Sequence, residues 1–136
     1  MKQRIKTIKI IHLALSAGVI LAYLLMGDFN NILNVEIDTS FLIYSFIPAI
    51  AIISGNMIFK HTMKRIKKES TTDQKFAIYQ TASIYKWAIL EGASFLILFS
   101  KPSYTILGVL ILFYLIVIAP KDDAIYQLLK IKKPNL

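Results

Sequence analysis

A chain of 136 residues that is 56% hydrophobic, yet carries 16 Lys and Arg against 8 Asp and Glu, is unusual for a small soluble domain. Nucleic-acid binding would account for the formal charge of +8 but not for the long apolar runs; membrane insertion accounts for both if the basic residues collect on the cytoplasmic side. The absence of cysteine excludes disulfides, thiolate zinc sites and cysteine nucleophiles.

The chain opens with Lys2, Arg4, Lys6 and Lys9 and runs into an apolar segment over about residues 10–27. A basic start before an apolar run also describes a signal peptide. This run is long for one, and no small-residue cleavage site precedes Asp28, so an uncleaved first membrane helix is expected. The loop that follows holds Asp28, Glu36 and Asp38 and no Lys or Arg. Two neighbouring acids are too few ligands for calcium, and no metal site is expected. A second span covers about residues 41–59, with Pro48 inside it; membrane helices tolerate such a proline because neighbours satisfy the freed carbonyl.

The loop 60–75 is the densest basic stretch. Lys60, Lys64, Arg65, Lys67 and Lys68 are expected to contact anionic head groups, and no aromatic platform points to nucleic acid as a partner. Thr71 and Gln74 have capping-box spacing and start a third helix that runs to about Ser100, with its span at about 82–100. Its first turns, with Tyr85 and Trp87, suit the membrane interface. After the turn Lys101-Pro102-Ser103 comes a fourth span, about residues 104–119. It is uncharged, is interrupted only by Gly108, and is expected to be the most lipid-exposed. Pro120 ends it. The tail, residues 121–133, reads as a short amphipathic helix on the cytoplasmic surface, with Ile125, Leu128 and Leu129 on one side.

Fourteen basic residues fall in the amino-terminal segment, the loop 60–75 and the tail, and one falls in the two opposite loops. The positive-inside rule then places both termini in the cytoplasm. The fold expected is all-α: a single transmembrane domain over residues 1–136, an integral four-helix bundle in the cell inner membrane. Small residues at helical spacing, Ala14, Gly18 and Ala22, Ala51 and Gly55, Ala88 and Gly92, are expected to bring helices one, two and three together. On that reading Gly18→Leu or Gly92→Leu disrupts the bundle, and Gly108→Leu matters less.

Glu91 is the one acid inside the four apolar spans. A carboxylate in hydrocarbon is costly, so an acid there either finds partners, stays protonated or serves a function. Depth matching makes Ser16, Ser54 and Tyr114 its candidate hydrogen-bond partners. Lys86 lies five residues away, about 140° around the helix, and is expected to snorkel to the interface instead. His12, Asn56 and Lys86 form a candidate polar cluster in the cytoplasmic half. His12 and His61 make no HExxH, the glycines form no phosphate loop, and neither an enzyme nor a cofactor is expected.

The basic start, the segment Ala88-Ile-Leu-Glu-Gly-Ala93 and a last span closed by Pro120 and a short tail resemble a group of small four-span bacterial inner-membrane proteins. That resemblance implies a fold and no activity. Helix two, its polar loop and helix three are similar to the hairpin of the ATP synthase proteolipid (c) subunit, whose second helix carries an ion-binding carboxylate like Glu91; the likeness is limited to that plan and one acid. The glycine-rich first helix of that family is absent, since Gly55 is the only glycine between Phe41 and Phe59. Two functions are therefore expected in order: a non-enzymatic membrane protein that assembles with itself or a membrane partner, then an oligomer conducting ions or protons through Glu91.

Overall fold

The computed structural model describes residues 1–132; the expected tail residue Lys133 lies outside them. Five α-helices make up the described chain: α1 (Lys2–Met26), α2 (Thr39–Met63), α3 (Thr72–Ser100), α4 (Thr105–Val117) and α5 (Asp122–Leu129). A 3-10 turn, Pro102–Tyr104, leads into α4, and there is no strand among the described residues. Helices α1, α2 and α3 are long and apolar enough to cross a membrane. Their outward faces carry Leu13, Leu25, Phe46, Ile53 and Phe99, each more than half exposed, an apolar surface that water would not tolerate.

The helix ends follow local chemistry. At α3 the expected capping box forms in both directions: Gln74 N–H donates to Thr71 Oγ1, and Thr71 N–H donates to Gln74 Oε1. At α2 the Asp38 carboxylate accepts from the Phe41 N–H at 2.7 Å. That bond holds the Asp38 carboxyl below the usual carboxylate range, aided by the Tyr104 hydroxyl, which donates to it from the other loop. α4 stops at Val117 because Pro120 has no N–H to offer Ile116; Ala119 N–H bonds the Ile116 carbonyl instead. The chain then turns by 72° into α5. With its 3-10 turn, α4 is about 26 Å long, a little short of the hydrocarbon core.

Two expectations about packing are corrected. α3 touches every other helix, α4 touches α1, α2 and α3, and α1 makes at most marginal contact with α2. The middle of the molecule is therefore α3 with α4, flanked by α1 and α2, not a core of helices one, two and three. α4 is not the most exposed helix: Thr105, Leu107, Gly108, Ile111 and Leu115 are buried on it. α2 is the peripheral one, burying only Pro48, Ala51, Gly55 and Thr62 over 25 residues.

The small residues explain the difference. Gly55 faces α3 closely, where an added Cβ would lie 3.4 Å from Lys86 Cγ. Gly108 is tighter still: a Cβ there would overlap Tyr23 Oη, Cζ and Cε1. Gly18 and Gly92 meet nothing within 4 Å, and Ala14 and Ala88 are exposed with them. Ala14, Gly18, Ala88 and Gly92 thus look away from the protein's own helices, whereas Ala22, the third member of the first stripe, is partly buried and packs against the cluster of Val19, Tyr23 and Leu98.

The tail helix also differs from its expected pose. Ile125, Tyr126 and Leu129 are buried, and Leu128 is exposed. Tyr126 meets the Phe76 ring edge-on, and Lys75 Nζ reaches the Leu129 carbonyl. Lys9 pairs with Asp122, and Arg4 pairs with Asp73. These ion pairs are solvent-exposed and worth little, so apolar burial holds α5 under the basic end of α1 and α3.

Candidate functional site

The polar side chains of the apolar helices separate into three groups around α3 and α4. On the α1 side, His12 is buried and stands edge-on to Trp87, with ring centroids 4.7 Å apart. Its Nε2 lies 3.0 Å from the Leu115 carbonyl. A carbonyl can only accept, so Nε2 carries the hydrogen. Leu115 belongs to the last turn of α4, where carbonyls lose their helical partners, and Ala119 N–H goes to Ile116 instead. His12 thereby closes the end of α4.

On the α2 side, Lys86 Nζ sits 5.6 Å from the Phe59 ring centroid and 5.5 Å from that of Tyr114. Both rings present their π faces to the ammonium, which holds it without a carboxylate. Tyr114 in turn exchanges hydrogen bonds with Asn56, at 3.1 Å from Nδ2. Gly55 leaves the room that the Lys86 stem occupies. The expected cluster of His12, Asn56 and Lys86 is thus divided: Asn56 and Lys86 share Tyr114, and His12 stands on the other flank with Trp87.

The third group lies nearer the opposite end. Tyr23 is buried, lies over Gly108, and donates to the Ser94 carbonyl at 2.6 Å. Asp28 N–H donates to the buried Thr105 hydroxyl beyond it. Sequence reasoning missed Tyr23 and Thr105. Nothing within α4 marks Gly108 as a contact, because its partner is 85 residues away on α1.

Glu91 belongs to none of these groups. α1 and α3 run parallel, as Arg4–Asp73 and His12–Trp87 show, so one turn above the latter contact Ser16 and Glu91 share a level. The expected hydrogen bonds nevertheless do not form. Ser16 Oγ is buried without a partner among the described residues. Ser54 Oγ donates to its own helix at the Ile50 carbonyl, and Tyr114 is engaged by Asn56. Ser94 Oγ is a second buried hydroxyl without a partner among the described residues. Glu91 is half-buried, has no ion pair or hydrogen bond among the described residues, and is flanked by Ala88 and Gly92, both exposed.

At the basic end, Lys60, Lys64, Arg65, Lys67 and Lys68 are all exposed. No group of three or more His, Cys, Asp or Glu among the described residues could hold a metal ion. The chain matches no protein-family model, no curated protein and no solved structure.

Proposed function

We propose that this chain is a four-span, non-enzymatic inner-membrane protein with cytoplasmic termini that acts by assembly, in the first place with a second copy of itself. The observation that carries the reading is Glu91: the one acid in the apolar spans stands half-exposed without a partner among the described residues, beside Ala88 and Gly92, whose surfaces are open. Intramembrane acids almost always face protein or a water-filled cavity. Small residues beside one let another backbone come close. A helix laid over Ala88 and Gly92 would remove the Glu91 carboxyl from lipid and offer it a hydrogen-bond acceptor. Two copies in the same membrane orientation can meet at this patch with two-fold symmetry.

The four-span orientation is tested by labelling. The natural chain has no cysteine, so single replacements report cleanly. Asp38→Cys and Ser103→Cys are expected to react with an impermeant thiol reagent from outside intact cells, and Ser70→Cys only after lysis. External labelling at residue 70 would overturn the orientation.

The other reading is an oligomer that carries protons or cations at the same interface, favoured by the unpaired state of Glu91. Glu91→Gln separates the two because it keeps size and hydrogen bonding while removing titration. The assembly reading expects the variant to fold, to associate as the wild type does, and to leave proton and sodium flux in proteoliposomes unchanged. Flux present in the wild type and lost in a stable, associated Glu91→Gln protein would replace assembly with conduction as the function.

A further inference from the structure

A groove at the basic end carries an inference independent of how the chain assembles. It lies between the end of α2, the start of α3 and α5, and has a volume of about 550 Å³. Met63, Ile66, Leu128 and Leu129 supply apolar surface, and Lys67, Lys68, Lys75 and Lys130 supply charge, with no acidic residue in the lining. None of the four lysines pairs with a carboxylate among the described residues. Lys75 Nζ donates to the Leu129 carbonyl, which ties the end of α5 to the start of α3 and shapes one wall. Lys130 adopts a left-handed backbone, φ 52°, and ends α5 beside the groove.

Depth identifies the occupant. Met63 follows the apolar part of α2 by one turn beyond Phe59, about 6 Å along the axis. The head-group layer on each side of a bilayer is about 5–8 Å thick. In the orientation proposed above, the groove therefore sits among the phosphates of the cytoplasmic leaflet, with positive charge over apolar side chains. We infer that this groove is a defined site for one anionic phospholipid of that leaflet: the phosphate is held by Lys67, Lys68 and Lys130, and the first part of an acyl chain lies along Met63 and Ile66. This differs from a diffuse attraction of the whole basic loop to the membrane, which would weigh every exposed lysine alike.

The experiment uses the full chain in nanodiscs of phosphatidylcholine with added phosphatidylglycerol, and counts retained lipid by native mass spectrometry. The wild type is expected to retain phosphatidylglycerol in preference to phosphatidylcholine. The triple variant Lys67→Gln, Lys68→Gln, Lys130→Gln is expected to lose that preference by about tenfold or more. The charge-matched triple Lys60→Gln, Lys64→Gln, Lys132→Gln, whose residues do not line the groove, is expected to stay within about twofold of the wild type. Lys75 is left unchanged because it supports the fold. Equal losses in both triples would reduce the site to a diffuse basic belt and overturn the inference. So would a wild type without preference, or competition by soluble glycerol phosphate as strong as that by the lipid.

Discussion

Gly108→Ala is expected to destabilise the protein by about 1–3 kcal/mol. The added Cβ would occupy the place of the Tyr23 ring edge and hydroxyl. Tyr23 must then leave, losing its bond to the Ser94 carbonyl and opening the packed contact between α1, α3 and α4. Helix propensity acts in the other direction, since alanine is favoured over glycine by about 1 kcal/mol in a helix interior. The sign of the result therefore decides between the two effects. Thermal unfolding in detergent measures it. Tyr23→Ala removes the obstacle, so adding Gly108→Ala to that background should cost far less than it does alone, a coupling that a double-mutant cycle reads directly. A Gly108→Ala protein as stable as the wild type would show that Tyr23 does not lie over α4.

Gly92→Leu is expected to do the reverse. Nothing lies within 4 Å of a Cβ at this position, so the isolated protein should melt as the wild type does. On the proposed assembly, association should weaken by about ten- to a hundredfold, because a bulky side chain would hold apart the two backbones proposed to meet over the small residues beside Glu91. Sedimentation in density-matched detergent reads the mass, and the thermal melt is recorded on the same sample. Lost association at unchanged stability is the signature. A large loss of stability would mean instead that Gly92 packs within the protomer.

Much of the fold could be read from the sequence because it depends on neighbours in the chain. The capping box of α3 needs only Thr71 and Gln74, and the end of α4 needs only Pro120. The apolar runs mark α1, α2 and α3, since length and composition alone decide whether a helix can cross a membrane. Which helix lies beside which depends on side chains far apart in the chain, and there the reading went astray. A small residue at helical spacing says that something comes close, not what. Gly55 and Gly108 admit the protein's own Lys86 and Tyr23, whereas Gly18 and Gly92 face outward. The amphipathic pattern of α5 likewise showed an apolar side, and could not tell lipid from the protein surface that buries Ile125 and Leu129.

The candidate site was legible to the same degree. Glu91 stands out because an acid among apolar residues needs no alignment to be noticed. The pairing of Asn56 with Tyr114 and the closing of α4 by His12 were not visible, although all three residues were singled out, because depth matching gives a level along the membrane and not a direction around each helix. Ser16 shares the level of Glu91 and still makes no bond to it.

The most direct test is crosslinking of single-cysteine proteins in reconstituted bilayers. Ala88→Cys and Gly92→Cys are compared with Ile53→Cys and Phe113→Cys, which are exposed on α2 and α4. Assembly through the Glu91 face predicts rapid disulfide-linked dimers at residues 88 and 92 and little product at 53 and 113. Equal product at all four positions, or dimers only at 53 or 113, would contradict it.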